Sequence, residues 1–222
     1  MQQYPNARTE IISRLFSACI QTLNFSEAYM ALTRHTNPIL RKSALTTLIT
    51  SMTVQSQVSQ LLHFPFTTLA NDVDVVLSSL CQKTLNIANG PPYHKILYSW
   101  RISRGDFRGA ASALWDRLQR LRNSSSSSHE ADDETLAQAY LLLINTLSCV
   151  DPEQAWILVD QRESVSGGAG VAKGKAAAGA VKRRIVTLEG VRREYAEELD
   201  RIAAMETGRF AFAGGGGTMD VL

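Results

Sequence analysis

The sequence predicts an all-α fold: an irregular α-helical solenoid of stacked antiparallel helix pairs, finished by a long C-terminal cover helix. Three observations carry this expectation. Apolar residues recur at helical spacing along most of the 222 residues. A helix–turn–helix signature repeats: Asp106, Phe107, Ala110, Ala113 and Leu114 follow the pattern of Asn24, Phe25, Ala28, Ala31 and Leu32. Asp151, Ala155 and Leu158 form a weaker third copy. Finally, Asn37-Pro38, Phe64-Pro65-Phe66 and Asn89-Gly90-Pro91-Pro92 break the chain between helical runs.

The pair over Tyr93–Leu121, turning at Arg104-Gly105-Asp106, organises the rest. Asp106 and Asn24 suit helix N-caps, since their side-chain oxygens accept from orphan backbone N–H groups. Ala110 and Ala113 share a face, and their small size lets the preceding helix come close. That helix supplies Leu97, Tyr98 and Ile102. Leu15, Phe16 and Ile20 play this part before Asn24, and Leu142, Leu143 and Leu147 before Asp151. Units that bury a face only against neighbours make a solenoid. The irregular spacing of the copies, at 24, 106 and 151, argues against a strict tetratricopeptide or HEAT array.

In order, the periodicity predicts a first helix over Asn6–Leu23, with Ile12, Leu15, Phe16, Cys19, Ile20 and Leu23 on one stripe. Helices follow over Phe25–His35, from Pro38 to about Ser51, and over Val54–Leu62 and Leu69–Ala88. The organising pair comes next. The serine run 124–128 and the acidic patch Glu130, Asp132, Asp133 and Glu134 read as a flexible loop over about 123–133. Thr135–Ser148 is a strongly apolar helix. Asp151-Pro152-Glu153 caps a helix running to about Gln161. The Gly/Ala/Lys-rich stretch 164–180 is a flexible loop. The last helix spans about Val181–Glu206, with Ile185, Leu188, Tyr195, Leu199 and Ile202 on a narrow stripe. The solenoid thus covers residues 1–206, read as part of a longer protein, and 207–222 form a disordered Gly-rich tail.

Composition narrows the function classes. Apolar residues make up 45% and charged residues 20%, which suits a folded, soluble chain. A net charge of only +2 gives no case for general nucleic-acid binding. The cysteines Cys19, Cys81 and Cys149 fall in apolar helical runs and read as buried hydrophobes, not disulfides or metal ligands. No apolar run is long enough to cross a bilayer. The histidines His35, His63, His94 and His129 have no metal-ligand spacing. Neither Gly-rich stretch has the flanks of a phosphate loop, and there is no nucleophile elbow or carboxylate pair. The expectation is therefore no enzyme, no cofactor and no metal. The basic run Lys173–Arg193 is blunted by Glu189, Glu194, Glu197, Glu198 and Asp200. It reads as a solvated face before a nucleic-acid site. Trp100, Trp115 and Trp156 each fall in one of the repeated units and read as core, or as interface anchors if they lie on an outer ridge.

These residues support a family resemblance. Leu61-Leu62-His63-Phe64-Pro65-Phe66 with Leu69, Asn71, Asp72 and Val73 resembles the FPY…L-x-N-E-V stretch of the largest scaffold nucleoporin of the Y complex, the 120/160-kDa family. Tyr93, Leu97-Tyr98, Arg104, Phe107, Arg108 and Ala110 are similar to that family's YY-x-LLY…R-x-x-YRKA pair. Leu141–Val159 with Asp151-Pro152-Glu153 and Ala155-Trp156 is similar to its CL…PEYAW element, and Ile185–Leu199 to its closing helix. The elements come in the same order over about Ser43–Met205, and the intervening insertions look fungal in style.

The resemblance implies the C-terminal helical part of that protein, at the nuclear envelope in the nuclear pore complex. It implies an architectural role without catalysis, supporting nucleocytoplasmic transport and mRNA export. The implied partners meet at the hub of the Y-shaped outer-ring coat: a helical nucleoporin that carries a small seven-bladed propeller subunit, and the short-arm helical scaffold nucleoporin. The implied partner surface is Trp156, Ile157, Val159, Ile185, Leu188, Tyr195, Leu199 and Ile202. The alternative is a helical-repeat adaptor that binds short peptides of another protein.

Overall fold

The computed structural model describes residues 3–87, 89–125, 133–160 and 183–206. The fold class is the expected all-α helical solenoid, with nine α-helices among the described residues. The chain divides into two compact units, residues 1–124 and 125–222. The expected tail 207–222, the loop 164–180, His129 and most of the loop 123–133 lie outside the described residues.

The first unit runs α1 Gln3–Gln21, α2 Phe25–Thr33, α3 Pro38–Val54, α4 Val58–His63, α5 Ala70–Lys83, α6 Tyr93–Ile102 and α7 Phe107–Ser125. One turn recurs in it. Leu23, Ser56 and Gly105 have φ values of 58°, 56° and 75° and end α1, α3 and α6. The next amide in each case donates five residues back: Asn24 to Cys19 O at 2.9 Å, Gln57 to Met52 O at 2.8 Å, Asp106 to Arg101 O at 2.9 Å. This pattern satisfies carbonyls that the helix end would orphan. The following residue then starts the next helix. Asp106 Oδ1 accepts from the Gly109 amide at 2.8 Å, and Asn24 Oδ1 accepts from Glu27 at 3.4 Å. Both expected caps are present. A Cβ on Gly109 would lie 2.0 Å from the Asp106 carboxylate, so the capped turn depends on that glycine.

The turns at Leu23 and Ser56 stand 33 residues apart, close to a tetratricopeptide period. Gly105 follows only after 49 residues, because α5 is placed between the pairs. Also, α3 runs on to Val54, so α4 begins later than the periodicity predicted. Similarly, α5 stops at Lys83 rather than near Ala88. Arg120 of α7 donates to the carbonyl oxygens of Cys81 at 2.8 Å and Thr84 at 3.3 Å, which fixes that end.

The core of this unit holds Ala28, Ala31 and Leu32 of α2, Leu45, Leu48, Ile49 and Met52 of α3, Leu77 of α5 and Ile96 of α6. The Phe64-Pro65-Phe66 loop inserts beside it. Phe64 stacks on Tyr29 at 4.7 Å, Phe66 meets Trp100 edge-on at 5.7 Å, and the Tyr29 hydroxyl donates to Pro65 O at 2.8 Å. The motif that carries part of the family resemblance is thus a packing device.

The second unit holds α8 Asp133–Ser148, a 3-10 turn over Pro152–Gln154, β1 Trp156–Asp160, β2 Arg183–Thr187 and α9 Leu188–Glu206. Two expectations are corrected here. Residues 151–160 form a short 3-10 turn and a strand in place of the expected α-helix, so the third copy of the pair signature is not a helical pair. The final helix begins at Leu188 rather than near Val181. The two misread segments are strands of one antiparallel ribbon, pairing Trp156 with Thr187, Ile157 with Val186 and Leu158 with Ile185. Their β-branched and aromatic runs, Trp-Ile-Leu-Val and Ile-Val-Thr, fit a pleated surface. The helix α9 packs along α8, with Tyr195 and Tyr140 ring centroids 5.7 Å apart.

Candidate interaction surface

The ribbon sorts its residues by strand alternation. Ile157 and its cross-strand partner Val186 are 1% and 2% exposed, so one face is core. Leu158 and its partner Ile185 are 46% and 59% exposed on the opposite face, with half-buried Trp156 two residues along. The Leu188 amide donates to Ala155 O at 3.0 Å, which ties the start of α9 to the ribbon. Val191 is fully buried, and Arg184 reaches Glu194 of α9 at 3.3 Å.

The eight residues expected at an interface therefore separate. Ile157 is inside. Trp156, Val159, Leu188, Tyr195 and Ile202 are half-buried, and Ile185 and Leu199 are exposed. Trp156 and Ile185 share the ribbon's open face. Leu199 stands eleven residues beyond Leu188 on α9, about 16 Å along the helix axis. Leu158 is the residue that sequence reasoning missed. An assumed helix hid the period-2 alternation that pairs it with Ile185.

The rest of the surface offers little chemistry. Cys19 and Cys81 are buried as expected, and burial pushes the Cys81 thiol up to about 12. Cys149 is exposed, contrary to expectation, because it lies where α8 ends. Trp100 and Trp115 are buried core residues. His35 and His94 are buried and His63 is exposed. Burial holds the His35 imidazole below its ordinary pKa of 6.5. His94 meets Asp116 at 3.1 Å. No group of three or more His, Cys, Asp or Glu among the described residues could hold a metal ion. No described helix is long and apolar enough to cross a membrane. A groove of about 380 Å³ lies between α1 and α3, floored by Phe16, Ile20, Leu40 and Ala44 and rimmed by Ser17, Gln21 and Ser43.

A family model described as NUP160/120 middle TPR matches residues 1–149. The chain is similar to nucleoporin NUP120 of Chaetomium thermophilum, 41% identical over 178 residues, 75% of this chain and 14% of that protein. It is also similar to nucleoporin nup120 of Schizosaccharomyces pombe, 30% identical over 135 residues, 61% of this chain and 12% of that protein. The nuclear pore complex protein Nup160 of Mus musculus is 27% identical over 177 residues, 77% of this chain and 12% of that protein. The chain thus spans 14% or less of the length of each of these relatives.

Proposed function

The chain belongs to the NUP160/120 family, and from this we propose that it is a structural scaffold segment of a nucleoporin, at the nuclear envelope in the nuclear pore complex. The observation that carries the reading is the family match across residues 1–149, with fungal relatives named as nucleoporins and a mouse relative named as a nuclear pore complex protein. A helical chain whose core is apolar packing, with the Cys81 thiol buried in it, supports architecture over chemistry.

The finer reading is that the segment serves the hub of the Y-shaped outer-ring coat. There it binds two other helical nucleoporins: the one that carries a small seven-bladed propeller subunit, and the short-arm scaffold. Its contribution to transport and mRNA export is to hold that coat together. The open face of the ribbon, Trp156, Leu158 and Ile185, together with Leu199 on α9, is the proposed contact. Exposed apolar side chains around a half-buried Trp are what interface centres are made of. Ile157 takes the supporting role beneath them.

The alternative, a helical-repeat adaptor for short peptides, draws on the groove between α1 and α3. Its lining includes no Asn, Lys or Arg, the residues that such an adaptor uses to hold a peptide backbone and terminus. The scaffold reading is therefore preferred.

The test is size-exclusion chromatography with light scattering on the purified chain, alone and mixed with the two helical hub nucleoporins from the same source. The expected result is a stoichiometric ternary complex. A chain that stays monomeric and ignores both partners overturns the hub reading.

A further inference from the structure

We propose that the groove between α1 and α3 is a socket for one uncharged aromatic side chain with a polar tip, a tyrosine carried on the surface of a partner protein. The groove holds about 380 Å³, room for a single ring of this kind. Its floor is apolar, and Phe16 offers a guest ring an aromatic face to pack on. One polar group lies among these residues. His35, from the loop between α2 and α3, lines the groove and is only 4% exposed, yet its Nδ1 has no hydrogen-bond partner. Buried polar atoms are nearly always paired, so an orphan at a groove marks a place for a guest. The half-buried Ser13 does not serve it, because its hydroxyl donates to Thr9 O at 2.9 Å. Thr47 likewise donates to Ser43 O at 3.2 Å. Rotation about the His35 Cβ–Cγ bond turns a ring nitrogen toward the groove.

The lining selects the guest. It contains no Asp, Glu, Lys or Arg, so a charged side chain would lose its water without meeting a counter-charge. An aliphatic side chain fills the floor but leaves the imidazole orphaned. A serine or threonine meets the imidazole but leaves the floor empty. Tyrosine does both. Its ring covers the floor, and its hydroxyl can donate or accept, which suits either tautomer of a neutral imidazole. Burial lowers the His35 pKa, so the neutral form prevails at neutral pH. There is also room for the chain that carries the ring. Ser13, Ser17 and Gln21 border a second depression of about 370 Å³, beside Glu10 and Arg14, whose charges pair with each other. A socket for one ring is not the clamp on backbone and terminus that a short-peptide adaptor needs, so it adds a contact to the scaffold reading. The groove lies wholly in the first unit, and the proposal rests on neither the hub nor the ribbon face.

The test is a titration of the histidine-labelled chain, followed by NMR of the imidazole nitrogens. The probes are N-acetyl-tyrosinamide, N-acetyl-phenylalaninamide and a capped Gly-Gly-Tyr-Gly-Gly peptide. The tyrosine amide is expected to move the His35 ring signals saturably at millimolar concentration. The phenylalanine amide should bind about fivefold more weakly, the worth of one hydrogen bond. The peptide should bind at least as well as the tyrosine amide. His35→Phe should abolish the preference for tyrosine. Ser17→Trp, at the exposed rim, should close the groove and remove binding while leaving the Tm unchanged. The Ser17→Trp arm stands even if His35→Phe unfolds. An unresponsive His35 overturns the proposal, since the ring is then served by water alone. Equal binding of the two amides overturns it as well, and so does binding that survives Ser17→Trp. Loss of binding on lengthening to the peptide removes a partner protein as the source of the ring. None of these outcomes touches the ternary complex that tests the hub.

Discussion

Arg101 grips Asp74 with two nitrogens: Nε donates to one carboxylate oxygen at 2.7 Å and Nη2 to the other at 2.8 Å. The remaining nitrogen, Nη1, donates to Gly109 O at 2.7 Å. One α6 side chain thereby joins α5 on one side and α7 on the other. The arrangement needs a planar fork of donors, which lysine lacks. Arg101→Lys and Arg101→Met are both expected to destabilise the chain, each by about 2 kcal/mol, because Asp74 and the Gly109 carbonyl lose their partner. Urea unfolding midpoints measure this. If lysine restores full stability, the fork is not what matters.

The shared turn gives a prediction of opposite signs. Gly105 sits at φ 75° without strain, and Leu23 holds φ 58° with a side chain. An L-residue pays about 1–2 kcal/mol in this region. Gly105→Ala should therefore lower stability by about 1 kcal/mol, and Leu23→Gly should raise it by a similar amount. Leu23 is 52% exposed, so little packing is lost. Thermal melts of both variants decide it.

Core and contact residues should part company in binding assays. Trp100 is 3% exposed, touches Phe66 and carries the Arg104 guanidinium 3.8 Å above its ring. Trp100→Ala should cost about 3–5 kcal/mol and take all functions with it. Leu158→Lys and Ile185→Lys, on the open face of the ribbon, should leave the fold near wild type. They should weaken capture of the helical partner at least tenfold in a calorimetric titration. Full binding by both stably folded variants removes the ribbon from the interface.

His35 makes stability depend on pH. Its side chain is buried, and that burial lowers its pKa from 6.5. Above 6.5 both folded and unfolded chains hold it neutral, so its contribution is intact. As pH falls below 6.5 the unfolded chain gains a proton that the folded chain resists, and stability is lost until the folded pKa is passed. His35→Phe should flatten this part of the curve between about pH 7 and pH 5. The comparison is urea midpoints of the two proteins across that range. Parallel curves would show that His35 is not the titrating group.

Sequence alone made the helical first unit legible because its signals are local. Caps such as Asn24 and Asp106, breakers such as Pro38 and Pro65, and stripes such as Phe16, Cys19 and Ile20 all act within a turn or two. The repeat period was not legible. Its middle copy, Ser56-Gln57-Val58, has the same backbone turn without the Asp or Phe that marks the others, so Asn24 and Asp106 looked adjacent. The ribbon was lost for a different reason. A five-residue apolar run fits helix and strand alike, and the strand that decides the matter, Arg183–Thr187, lies beyond the stretch 161–182. The candidate site suffered with it. Trp156 and Ile185 could be picked as apolar and conspicuous, but only the ladder puts Leu158 opposite Ile185 and turns Ile157 inward.

The separation of the two strands also matters while the protein is being made. Trp156–Asp160 leaves the ribosome before its partner does, and at least the 22 residues from 161 to 182 must emerge in between. At about 5–20 residues per second, this takes on the order of one to four seconds. During that interval Trp-Ile-Leu-Val is an unpaired apolar edge on a nascent chain. Chaperone capture or misassembly in the second unit should therefore fall in this window, and slowing elongation while 161–182 emerge from the ribosome should lower the yield of soluble protein.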